Sequence, residues 1–197
     1  GDDGAPVPAD IQKSLGHSHV LGPEHRSQEG AWAVAHKLLH KASMRLRMEH
    51  FYTGSLAVTI RFALTKEQAA RTKSKQHFSG LKHSGWAMEA RFRDCQDTLT
   101  LLEVLRGIWA QRPQGADFQK PFFVGLTLRN LIPESEYQAE LFADEGNRAG
   151  LSATMDKLNL KYGHTTLHFA GMLPARESAP TRIAFTQIPV QYGVDYM

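Results

Sequence analysis

Ten histidines, one cysteine and an opening Gly-Asp-Asp are the residues of this 197-residue chain that could hold a metal or carry a reaction. His36 and His40 are four apart, as are His164 and His168, a spacing that zinc ligands on a helix use. The first pair reads H-K-L-L-H, so it lacks the glutamate that H-E-x-x-H hydrolases use as base, and no cysteine lies nearby. Solvent-edge histidines on a basic surface are the expectation. Gly1-Asp2-Asp3 would bind metal only if a hairpin held both carboxylates in register, and a chain terminus supplies no hairpin. Cys95, beside Asp94, lacks an activating base and reads as an ordinary half-buried thiol. No nucleophile elbow, phosphate loop or paired-carboxylate site is present. The sequence predicts no catalytic residue, no metal and no cofactor in this chain.

The chemistry that remains is anion recognition. Arg61, Arg91 and Arg129, with Thr59 and Thr127, recur at alternate positions in three runs of strand-like pattern. Guanidinium groups and hydroxyls at that period project from one face of a sheet and can give charge-assisted hydrogen bonds to phosphate. Lys73, Lys75 and Lys82 lie in a polar connection between two of those runs. They are candidate phosphate contacts on charge alone.

Charge is unevenly distributed. The net is +3, yet His25 to Arg93 holds thirteen Lys/Arg against four Asp/Glu, while Glu134 to Glu145 has five acids and no base. A basic body followed by an acidic stretch predicts two partners of different character. The hydrophobic content of 42% suits a single soluble domain with an appendage. No apolar run approaches the roughly 20 residues needed to cross a bilayer. A single cysteine and no visible signal peptide predict a reducing, cytoplasmic setting without a membrane partner.

Several elements must position these cations. Lys13 to Leu21 reads as a first strand, ended by Gly22-Pro23. Ser27 caps a helix to about Met48 whose stripe is Ala31, Val34, Ala35, Leu38, Leu39, Ala42 and Leu46. From Ser55, Leu56, Val58, Ile60 and Phe62 alternate with Thr59 and Arg61. From Trp86 to Phe92, Trp86, Met88, Ala90 and Phe92 alternate with Glu89 and Arg91. Asp97 or Thr98 starts a second helix, with Leu101, Leu102, Leu105, Ile108 and Trp109 inward, and Phe122 to Leu131 is a fourth strand. The order β-α-β-β-α-β predicts an α+β fold, a four-stranded sheet with two helices on one face. The other face is left open and carries Ala57, Thr59, Arg61, Arg91, Gly125, Thr127 and Arg129. It lacks the exposed aromatics of an RNA-recognition sheet. Beyond it, Pro133 to Phe142 reads as acidic and short of structure. A helix over Arg148 to Tyr162 is predicted with Leu151, Met155, Leu158 and Tyr162 on one side, then a strand near Thr165 to Phe169. Gly171 onward has no usable period.

Gln138-Ala139-Glu140-Leu141-Phe142 places an amide and two adjacent apolar side chains in an acidic stretch, suited to insertion in a partner's pocket. Lys13 to Leu21 (K-S-L-G-H-S-H-V-L), the basic strand pair, the helix after Asp97, and Gly125 to Leu131 (G-L-T-L-R-N-L) occur in an order that resembles the C-terminal part of Y-family translesion DNA polymerases of the UmuC/ImpB type. The resemblance is to their little-finger, or polymerase-associated, domain. Gln138, Leu141 and Phe142 are similar to the family's β sliding-clamp peptide, and M-D-K-L-N-L-K-Y-G from Met155 looks like a tail of UmuC-type members. The resemblance spans roughly Gln12 to Ala170.

It implies a non-catalytic domain that grips DNA backbone around a damaged primer-template and tethers to the clamp, with other SOS polymerase subunits as further partners and the bacterial nucleoid as its place. The parent would be a DNA-directed DNA polymerase whose palm, fingers and thumb, with their Mg²⁺, precede Gly1. The division implied is a linker or cloning remnant over 1–11, a little-finger-like DNA-binding domain over 12–132, a clamp-binding segment over 133–146 and a C-terminal extension over 147–197. The alternative is a recruitment adaptor from a catalytically inactive relative, acting through protein-protein contacts.

Overall fold

In the computed structural model, residues 14–71, 77–78, 81–138, 145–163 and 166–175 are described. The elements run β1 (Ser14–Val20), α1 (Gln28–Met48), β2 (Phe51–Ala63), α2 (Lys66–Arg71), β3 (His77–Phe78), β4 (Leu81–Cys95), α3 (Thr98–Ala110), β5 (Pro121–Pro133) and α4 (Glu145–Tyr162). The four long strands lie in the order β1-β5-β2-β4, and β3 adds two residues beyond β4. Every neighbouring pair is antiparallel. It follows that β1 and β2 run parallel with β5 between them, and β4 and β5 run parallel with β2 between them. Each helix-bearing crossover therefore steps over one strand.

The α+β architecture read from the pattern is the one that forms. Leu56, Val58, Ile60 and Phe62 of β2 have no exposed surface, and Val124, Leu126 and Leu128 of β5 have almost none. Each such side chain contributes about 2 kcal/mol by burial, so a one-residue slip that turned them outward is strongly disfavoured. Helix α1 begins where Ser27 Oγ accepts from the Gly30 N–H (2.9 Å), and α3 where Asp97 Oδ1 accepts from the Thr100 N–H (2.8 Å). Both caps satisfy donors that the first helical turn cannot. The connection after β2 opens with a short helix, α2. Thr65 and Gln68 form a reciprocal capping box (2.8 and 3.2 Å) at the start of α2.

The largest departures from the sequence reading lie in the last part of the chain. Helix α4 docks through Ser152, Asp156 and Asn159, all buried, whereas Leu151 and Tyr162 of the expected apolar stripe face solvent, 45% and 61% exposed. Polar partners supplied by the rest of the fold are the reason. Arg47 of α1 donates to both oxygens of Asp156 (2.6 and 2.9 Å), and also to Gln96 O (2.5 Å) and Thr98 Oγ1 (3.2 Å). Ser152 Oγ accepts from the Thr98 N–H (3.1 Å). The Asn159 amide both donates to Leu167 O and accepts from its N–H, at 2.9 and 2.8 Å. The strand expected near Thr165 to Phe169 is absent from 166–169, since Asn159 already takes the Leu167 backbone groups. A 3-10 turn over Ala170–Ala175 follows and buries Met172 and Ala175 against α1.

This docking also overturns the expectation of solvent-edge histidines. His36 and His40 are buried beneath the extension. Gly171 lies so close to the His36 imidazole that a Cβ there would meet ring atoms at 2.6 and 2.7 Å. Neither His36 nitrogen has a hydrogen-bond partner among the described residues, and its ring packs edge-on to Trp32 at 4.4 Å. Burial, aided by the nearby Arg106 charge, pushes the His36 pKa down to about 4. Cys95, expected to be half-buried, is buried. His164 lies outside the described residues. Among the described residues no group of three or more His, Cys, Asp or Glu side chains is placed to hold a metal, and no helix is long and apolar enough to cross a membrane.

Asp156→Ala should lower unfolding free energy by about 3 kcal/mol in urea titration, because Arg47 keeps its buried charge and loses its counter-ion. An unchanged midpoint would show that α4 is not held this way. The unfolded chain binds a proton at His36 below about pH 6.5, while the folded chain refuses it down to about pH 4. Stability should therefore fall with pH across that window. His36→Leu should remove up to about 3 kcal/mol of the fall, read as the difference between urea midpoints at pH 7 and pH 4.5.

Candidate nucleic-acid interface

Two helices cover one side of the sheet, and the strand registers define what the other side presents. Four cross-strand rows follow from the pairing. Ser14, Arg129, Ser55 and Arg91 form one, and Gly16, Thr127, Ala57 and Glu89 the next. Ser18, Gly125, Thr59 and Ala87 form the third, and Val20, Phe123, Arg61 and Gly85 the fourth. The middle rows are built almost wholly of Gly, Ser, Ala and Thr, so a ligand could approach the backbone closely. A depression of about 270 Å³ sits there, bordered by Gly16, Ser18, Thr59, Gly125, Thr127 and Arg61. A Cβ at Gly125 would come to 3.3 Å from the Phe123 ring, which narrows what else that position could hold.

Five of the predicted contacts, Thr59, Arg61, Arg91, Thr127 and Arg129, are thus brought onto one surface. Arg61 lies over the Phe123 ring, its guanidinium carbon 4.8 Å from the centroid, which holds the planar group against the floor. Arg91 and Arg93 are exposed on β4. Lys82 is exposed at the start of β4, with Nζ 3.4 Å from Ala69 O. Lys73 and Lys75 lie outside the described residues.

Sequence reasoning missed two features of this face. The first is β1, read only as a leading strand. Its buried Leu15 fixes the parity that turns Ser14, Gly16, Ser18 and Val20 to the open side, and the S-G-S-V alternation was the available signal. The second is Glu89. Its place opposite the core was legible, but its partners were not. Arg129 Nη1 donates to Glu89 Oε2 at 2.7 Å, and Ser55 Oγ donates to Oε1 at 2.5 Å. The Ser55 hydrogen bond, then the Arg129 charge, hold the Glu89 carboxyl below the usual carboxylate range.

At one end of the sheet the residues that follow β5 are anchored. Tyr137 stacks on Tyr52 of β2 with centroids 3.6 Å apart and planes 9° from parallel. Glu134 N–H donates to His50 O at 2.8 Å, and the His50 ring contacts Glu134 Oε2 at 2.9 Å. Gln138, exposed, follows directly, while Leu141 and Phe142 lie outside the described residues.

The arrangement is suited to lying along a polyanion. Its donors are arginines and hydroxyls on an open, small-residue surface with a depression at its centre. A model of the impB/mucB/samB family C-terminal domain matches residues 12–141. No curated protein matches the chain.

Proposed function

Because the chain belongs to the impB/mucB/samB family, matching its C-terminal domain over residues 12–141, we propose that it is the non-catalytic duplex-gripping part of a Y-family translesion DNA polymerase. The domain over 12–132 lays its open sheet face along the DNA backbone of a damaged primer-template. The observation that carries this reading is the one-sidedness of the sheet. Arg61, Arg91 and Arg129 share a face with Gly16, Ser18, Ala57, Thr59, Gly125 and Thr127, whose small side chains let a phosphate come close to the backbone. Phosphate contacts of this kind fix register and orientation without reading sequence.

The segment over 133–146 acts as a tether. Gln138, Leu141 and Phe142 engage the β sliding clamp, and the Tyr52–Tyr137 stack gives that tether a defined origin. The extension over 147–197 serves contacts with other polymerase subunits. Catalytic carboxylates and their Mg²⁺ belong to other parts of such a polymerase. A second reading, a recruitment adaptor from an inactive relative, is favoured by the outward turn of Leu151, Leu160, Tyr162 and Leu173. Outward apolar side chains serve protein partners where they join into one patch.

Duplex binding by the chain should be sequence-independent with a Kd of about 10⁻⁴ to 10⁻⁶ M. Engagement of about five phosphates gives a log K against log salt slope of about −4 to −5. Charge reversal of Arg61, Arg91 and Arg129 together should flatten that slope by about three phosphates' worth; an unaltered slope would place the DNA elsewhere. Leu141→Ala with Phe142→Ala should abolish clamp binding in surface plasmon resonance while leaving the melting temperature unchanged. A sharp drop in melting temperature would make the pair core instead.

A further inference from the structure

A carboxylate is out of place on a surface meant for phosphate, and Glu89 is no casual surface contact. Its two oxygens are held separately, one by Arg129 and the other by the hydroxyl of Ser55. Ser55 has no exposed surface, and the sheet fixes it in register between Arg129 and Arg91. Exposed ion pairs normally contribute little, because both long side chains are free to wander. Here one partner of the carboxylate is set by the backbone of the central strand, which aims the other oxygen at Arg129.

Resting on the reading of the open face as a phosphate-binding surface, we propose that Glu89 is a built-in competitor for phosphate: it occupies Arg129 in the free domain and yields it only when a duplex backbone takes its place. The guanidinium fork suits carboxylate and phosphate oxygens alike, so the exchange swaps one acceptor for another. The displaced carboxylate keeps its bond to Ser55 and so stays in reach of Arg129, ready to take it back when the phosphate leaves. A ligand that engages Arg61, Arg91 and Arg129 at once can outcompete it. A lone phosphate that meets only Arg129 cannot. The device therefore favours an extended polyanion and keeps the grip releasable.

The test is fluorescence anisotropy of the whole 197-residue chain with a labelled mixed-sequence duplex, across a salt series. Glu89→Gln keeps an acceptor for Ser55 and removes the charge. It should tighten binding by about five- to tenfold at low salt and steepen the salt slope by about one phosphate. In an Arg129→Ala background the same substitution should gain less than about twofold, since no guanidinium is left to release. Glu89→Ala repeats the comparison without the acceptor, so a folding defect peculiar to one variant does not decide the outcome. If Glu89→Gln and Glu89→Ala bind no tighter, or tighten equally with and without Arg129, the competitor role is overturned while DNA binding stands. If the unaltered chain does not bind duplex, the reading of the face falls and the inference falls with it.

Discussion

The Arg47 guanidinium joins three stretches of chain that are remote in sequence: the end of α1, the β4–α3 junction at Gln96 and Thr98, and Asp156 of α4. Both members of the Arg47–Asp156 pair are about 90% removed from solvent, their side chains 10% and 11% exposed. A pair that dry is sustained only by good geometry and by further hydrogen bonds to the remaining donors, and both are present. Its position decides what the rest of the molecule can do. It holds α4 and the 3-10 turn over Ala170–Ala175 on the helical side, packed on α1 and α3, with the arginines on the opposite side of the sheet.

Helix α1 is consequently packed from two directions. One flank carries the apolar stripe from Ala31 to Leu46 against the sheet. The other carries His36, Lys37 and His40 beneath the extension, where Lys37 Nζ donates to Ala175 O at 3.2 Å. The second contact combines the apolar Met172 and Ala175 with polar groups. Each hydroxyl, amide or ion there needs a specific partner in place, whereas apolar packing tolerates small shifts. His36 is the exception, a buried imidazole whose nitrogens have no hydrogen-bond partner among the described residues and which its surroundings keep neutral.

Much of this was legible because it repeats locally. The 3.6-residue stripe of α1, the caps at Ser27 and Asp97, and the two-residue alternation of β2 and β5 each follow from neighbours within a few positions. The order of elements then follows from those signals. What could not be read depends on pairing at long range. Asp156 finds Arg47 at a separation of 109 residues, and Ser55 finds Glu89 at 34. Neither leaves a periodic trace. The α4 error has the same origin: Leu151, Met155, Leu158 and Tyr162 make a clean apolar stripe, yet the surface they would have met holds Arg47 and Thr98 instead. The open face was legible in its arginines because strand parity places them there. Its carboxylate clamp was not, since parity says which side a residue takes and nothing about whom it meets.

The aromatic stack of Tyr137 on Tyr52 has a mechanical consequence. The axis of β5, which is hydrogen-bonded on one side to β1 and on the other to β2, is the direction in which the sheet best resists a pull. Traction in that direction loads both ladders in shear, so many backbone bonds share the force at once. The same pull directed across the sheet would instead open them one after another, like a zip. Tyr137 reaches from the end of β5 across to Tyr52 of β2 and to within 3.5 Å of Asp94 O of β4, so a load applied there is passed to three strands rather than to β5 alone.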